Sequence, residues 1–161
     1  VSPQGRLPEV LPRLGYTTMV SKDFENITWY GRGPEENYPD RKTGYPVGVW
    51  SKTVAEMYEP YLMPQDHALR TDVRYVQLKD KAGKGLEIKM NELFNFNAYQ
   101  YTTDNLTKGM YTYQLKPLED KYTLNLDYST TGAGCTAVYV VDDYKTKPVA
   151  YDRVIVIKPI R

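Results

Sequence analysis

An antiparallel all-β sandwich is the fold class this sequence predicts, on three observations. Short segments with period-two alternation or β-branched enrichment recur along the chain. Glycine and proline clusters separate them, as turns between strands require. Helical periodicity surfaces only weakly, around 103–110. Many short strands with Pro/Gly turns bury their apolar faces most simply by stacking two sheets.

Taken in order, strands are predicted at 16–20, 25–30, 53–58, 71–78, 85–91, 121–128 and 151–158. The clearest one-face pattern is Leu86, Ile88 and Met90 alternating with Glu87 and Lys89. Leu124 and Leu126 do the same against Asn125 and Asp127. Thr102 or Thr103 is placed to cap one or two helical turns. Turns are expected at 31–34, 81–85, 131–134 and 145–148, and no internal repeat or linker divides the 161 residues. A chain of that length supports one domain, 1–161, with a real core.

Composition narrows the function classes. Lys and Arg number 21 against 20 Asp and Glu, and no basic block interleaves with aromatics, which argues against nucleic acid as a partner. No apolar run approaches the roughly 20 residues that span a bilayer. Cys135 is the only cysteine and His67 the only histidine, too few soft ligands for a tetrahedral zinc site, and no metal or cofactor is implied for this chain. One cysteine also leaves the compartment open. Tyrosine outnumbers phenylalanine 16 to 3, which suits strands and half-buried sites with one wet end, and also suits stacking on the C–H faces of sugars.

The most informative stretch is 27–41, ITWYGRGPEENYPDR. A buried Trp29 needs a partner for its indole N–H. Gly31 and Gly33 suit a backbone that bends or closely approaches another segment, and Pro34 ends the strand. Glu36, Tyr38, Asp40 and Arg41 then follow from a fixed platform, with Glu35 and Lys42 beside them. Clustered carboxylates invite a catalytic pair. The neighbouring cations favour ion pairing that holds the loop.

As a motif, Trp29-x-Gly31-x-Gly33-Pro34-x-Glu36-Asn37-Tyr38-Pro39-Asp40-Arg41 resembles a signature of the C-terminal small-chain domain of bacterial β-galactosidases in glycoside hydrolase family 2. Leu11-Pro12-Arg13-Leu14-Gly15 upstream is similar to that family's entry segment. Downstream, Met57–Tyr61 followed by Pro64-Gln65, then Arg70–Arg74, Phe94–Ala98 and Leu124–Tyr128 match later landmarks in the expected order. The resemblance implies the large two-sheet supersandwich related in shape to galactose mutarotase. The family's domain begins well upstream of the Leu11 segment, so this chain resembles its latter half. Half a sandwich leaves edges or an apolar face uncovered, so a homo-oligomer, or a piece of a longer protein, is expected.

What the resemblance implies about chemistry is indirect. Retaining glycoside hydrolysis needs two carboxylates about 5–5.5 Å apart, and in this family both come from a (β/α)8 barrel of roughly 250 residues. This chain is shorter and lacks the strand–helix alternation, so no catalytic residue is assigned to it. The implied partners are the catalytic barrel of a parent enzyme, in bacterial cytoplasm or periplasm, and galactosides. The alternative is a free-standing carbohydrate-binding sandwich.

Three residues are the weak candidates for sugar contact. Asp66 and His67 lie in Pro64-Gln65-Asp66-His67-Ala68, where the family reads Pro-Gln-Glu-Asn-Gly, and surface or turn duty is the plainer expectation for this histidine. Tyr139 falls, by counting from Gly132 and Gly134, where the family has a Trp beside the sugar. It can stack on a pyranose with less area, or 137–141 can be a buried strand. Asp142, Asp143 and Asp152 read as solvated turn charges rather than a calcium loop.

Overall fold

The computed structural model describes residues 2–134 and 139–161. The first strand, β1 (Arg13–Ser21), leads into β2 (Asn26–Arg32) and β3 (Val47–Thr53), and then, beyond a long loop, β4 (Arg70–Val73) and β5 (Tyr75–Lys79). A hairpin turn at 80–84 gives β6 (Gly85–Met90), followed by β7 (Phe94–Tyr99) and helix α1 (Thr103–Lys108). Strands β8 (Lys121–Thr130) and β9 (Ile155–Ile160) complete the order. One antiparallel sheet runs β1-β8-β7-β4 and the other β3-β2-β5-β6-β9, and they pack face to face as the predicted sandwich.

Alternation places the core. Ile27 and Trp29 of β2, Val76 and Leu78 of β5 and Ile88 of β6 point in from one sheet. Phe94, Phe96 and Ala98 of β7 and Tyr122, Leu124 and Leu126 of β8 meet them from the other. The Trp29 and Phe96 rings touch edge to face, 5.9 Å apart at 64°, across the two sheets. Burying such a ring against leaving it in water is worth roughly 2–3 kcal/mol.

Several strand expectations need correction. The segment 53–58 is a turn and the strand ends at Thr53, because the Glu56 carboxylate accepts both the Thr53 N–H (2.7 Å) and hydroxyl (2.9 Å), wrapping the chain back. The strand itself, Val47–Thr53, lies outside the predicted set because Gly48 interrupts its alternation. The run 71–78 is two strands in different sheets, broken at Arg74. Phe94–Tyr99 is a further strand outside the predicted set, because Asn95 and Asn97 lower its strand propensity. At the C-terminal side, β9 starts at Ile155, later than the predicted 151. The expected cap is Thr102, whose side chain accepts the Asn105 N–H at 3.1 Å.

Candidate functional site

The 27–41 motif builds one end of the sandwich. Trp29 is fully buried and its indole donates to the Arg32 carbonyl at 3.0 Å, the partner its burial requires. A side chain at Gly33 would stand 2.7 Å from Trp50 and 3.0 Å from Trp29, so only hydrogen fits between the rings. The Gly33–Pro34 peptide is cis. Beyond it, the charges disperse to separate duties rather than assembling.

Glu36 is buried. It accepts from Arg41 (3.0 Å) and the Tyr61 hydroxyl on one oxygen, and from the Ala68 N–H (2.6 Å) on the other. Ala68 has φ of 66°, a backbone conformation that favours glycine, which is the residue expected there from the family pattern. Glu35 pairs with Lys52, and Lys42 pairs with Asp72, which Arg32 also holds at 2.6 Å. Burial pushes the Asp72 carboxyl up, but its Lys42 and Arg32 hydrogen bonds hold it below the usual range. Asn37, fully buried, accepts the Thr71 N–H at 3.1 Å and ties the motif to β4.

Asp40 does what the local sequence did not announce. Instead of pairing with Arg41 or Lys42, it accepts the N–H groups of Ala133 (2.9 Å) and Gly134 (2.7 Å). A side chain on Gly132 would meet its carboxyl carbon at 2.4 Å. The motif therefore clamps the Gly132–Gly134 turn from which the chain runs toward Tyr139. Residues 137 and 138 of the 137–141 segment fall outside the described residues. Tyr139 itself is in no strand and is 96% exposed.

Asp66 and His67 belong to a polar layer on the far face of β7 and β8. Here Asn95, Asn97 and Tyr99 lie opposite Asp127, Asn125 and Thr123. Asn125 donates to Asn97 (2.7 Å) and to the Tyr99 hydroxyl (3.0 Å), and accepts from Thr17 (2.7 Å). Asn97 donates in turn to Asp66 (3.1 Å) and to the His67 carbonyl (2.8 Å). Arg13 bridges Asp66 at 2.8 Å and Asp127 at 3.3 Å. Burial pushes the Asp127 carboxyl up to about 6, with Arg13 opposing and Asp66 adding to the rise.

His67 is not on the surface, as turn duty had suggested. It is 1% exposed, with its ring against Tyr58 and Tyr99 at 5.2 Å each and Nδ1 facing the Gln65 carbonyl at 3.0 Å. Its Nε2 has no partner among the described residues. The Pro64–Ala68 loop covers a sheet face that its alternating Asn and Asp residues would otherwise turn to water. No hydrogen bond or ring contact joins Tyr139 to Asp66 or His67 among the described residues. Arg70, also buried, lies 5.2 Å over the Trp29 ring, and burial lowers its guanidinium to about 10 against the pull of Glu35, Glu36 and Glu59.

Among the described residues no three His, Cys, Asp or Glu converge as metal ligands, and no helix is long and apolar enough to cross a membrane. Asp142 pairs with Lys145 at 2.6 Å beside a short 3-10 turn, Asp142–Tyr144.

Fold and site together define an all-β sandwich module whose carboxylates fasten loops. The chain belongs to the β-galactosidase small-chain family, whose model matches residues 1–157. It is 36% identical over 134 residues to a β-galactosidase of Priestia megaterium, covering 83% of this chain and 13% of that protein. A β-galactosidase of Vibrio cholerae is 36% identical over 124 residues, and one of Leuconostoc mesenteroides 33% over 122. These cover 77% and 76% of this chain, and it spans 11% of each of them.

Proposed function

We propose that this chain is a non-catalytic domain of a β-galactosidase that packs on the catalytic barrel and lends Tyr139 to the wall of its galactoside pocket. The observation carrying this reading is the Asp40 clamp on Ala133 and Gly134, upstream of a tyrosine ring left 96% exposed. A ring that costs its own fold nothing is free to stack on a ligand held by another module. The non-catalytic role is supported by Glu35, Glu36 and Asp40, each engaged in holding structure.

A packing face is supported by exposed apolar groups. Leu62 (95%) and Met63 (57%) adjoin Pro64, which neighbours Gly109, and Met110, Tyr111 and Tyr113 follow. The rings of Tyr111 and Tyr113 stack nearly parallel, at 8° and 5.5 Å. Met and Tyr are enriched at interface cores, and such patches mark contact surfaces.

The test uses the enzyme that carries this chain. Tyr139→Ala is expected to raise KM for a chromogenic β-galactoside about three- to tenfold, the loss of one aromatic stack. The unfolding midpoint should stay unchanged, and the chain alone should hydrolyse nothing. An unchanged KM removes Tyr139 from the pocket; hydrolysis by the chain alone overturns the non-catalytic role.

A further inference from the structure

Between the motif and the C-terminal loop lies a polar cleft of about 210 Å³. Pro39, Lys42 and Asp72 form one wall, Asp143, Tyr144 and Lys145 the other, and Asn95, Tyr128 and Ser129 lie among its lining. Its volume falls below the roughly 300–1,000 Å³ of sites for drug-sized ligands, which leaves room for about one six-membered ring.

The lining selects a ligand class. Its two cations are offset by its two carboxylates, and Lys42 and Lys145 are already paired with Asp72 and Asp142. An anion would meet Asp72 and Asp143, and a cation would meet both lysines. Leu93 and Pro39 supply little apolar surface, so a hydrophobic ligand gains little. Against this, the hydroxyls of Tyr128 and Tyr144, the Asn95 carbonyl oxygen and the Asp143 carboxylate have no hydrogen-bond partner among the described residues. All four residues line the cleft, two of them with aromatic rings.

We infer that this cleft binds a single neutral pyranose, its hydroxyls shared among Tyr128, Asn95 and Asp143 and one C–H face against Tyr144. The inference does not rest on Tyr139 or on a neighbouring barrel. The cleft does touch the clamped turn, since the Gly132 N–H donates to the Tyr144 carbonyl at 2.9 Å. Ligand held against Tyr144 therefore braces the same turn that Asp40 holds.

The test is a titration of the 161-residue chain with D-galactose and, separately, D-glucose, followed by protein NMR, with inorganic phosphate as the anionic probe. Saturable binding of either sugar at about 1 mM or tighter is expected. Tyr144→Ala should weaken it about tenfold, and Tyr128→Phe, which removes only the hydroxyl and keeps the ring, about threefold to tenfold. Tyr139→Ala should leave it unchanged, which separates this cleft from the pocket wall proposed above. The inference is overturned if neither sugar saturates, if phosphate binds more tightly than both, if Tyr139→Ala abolishes binding, or if Tyr128→Phe leaves it intact.

Discussion

The Asp40 carboxylate accepts the Gly134 N–H at 2.7 Å across 94 positions of chain, and its second oxygen takes the N–H of Ala133 at 2.9 Å. One side chain on the motif thereby holds the Gly132–Gly134 segment, five positions before the exposed Tyr139 in the sequence. The bond is charge-assisted but partly open to water, so its value is local order more than global stability. Asp40→Ala is expected to speed amide hydrogen exchange at Ala133 and Gly134 about tenfold or more, with a global loss of only about 1 kcal/mol. Unchanged protection at both amides would show that the turn holds itself.

Glu36 is the buried counterpart. Removing its carboxylate strands the Ala68 N–H and the Tyr61 hydroxyl and frees Arg41. Glu36→Ala should cost about 3 kcal/mol by urea denaturation, and Glu36→Gln, which keeps one acceptor, less than that. Burial, with the hydrogen bond to Glu36, pushes the Tyr61 phenol up to about 12, so that bond persists through neutral pH. A Glu36→Ala loss under about 0.5 kcal/mol would mean that water replaces these bonds.

Trp29 combines burial, a hydrogen bond and the Arg70 contact. Trp29→Ala is expected to lose about 3–5 kcal/mol, through the cavity and the lost packing on Phe96. Trp29→Phe keeps most of the ring and should lose about 1–2 kcal/mol, from the stranded Arg32 carbonyl and weaker cation–π contact. Equal losses in the two variants, measured by thermal unfolding, would contradict this division.

Asp127 makes stability depend on pH in an unusual direction. Its folded value of about 6 lies above the unfolded value near 3.8, so within that window the folded chain holds more of its proton than the unfolded chain does. The stabilisation is complete below about pH 4 and is lost as pH rises through 6, on the order of 2–3 kcal/mol. Asp127→Asn should remove this slope, so the variant gains on the parent as pH rises from 4 to 7. Arg13 keeps Asp66 as a partner in the variant. Parallel stability curves for the two proteins across that range would exclude Asp127 as the source.

Much of the fold was legible because strand alternation is local. Leu86–Met90 and Leu124–Asp127 announce which face goes inward without reference to any other segment. The indole's need for a partner was legible too, although the Arg32 carbonyl was not. The polar layer had one readable trace: Asn95 and Asn97 alternate with Phe, as Asn125 and Asp127 do with Leu, two strands with the same polar period. Nothing local says that a loop would cover that face, so His67 read as a surface residue and is buried.

Residue pattern is enough to specify the all-β class, the inward faces, the Trp29–Arg41 turn and, through that turn, the family. What the charges do is set by packing: Asp40 reaches Gly134, Glu36 reaches Ala68, and Lys42 reaches Asp72 rather than its neighbours. The difference is one of range. Alternation and turn chemistry act over a few residues, whereas a carboxylate bonds whichever donor the packed sheets bring within 3 Å, and that donor's place in the chain is set only once both sheets have formed.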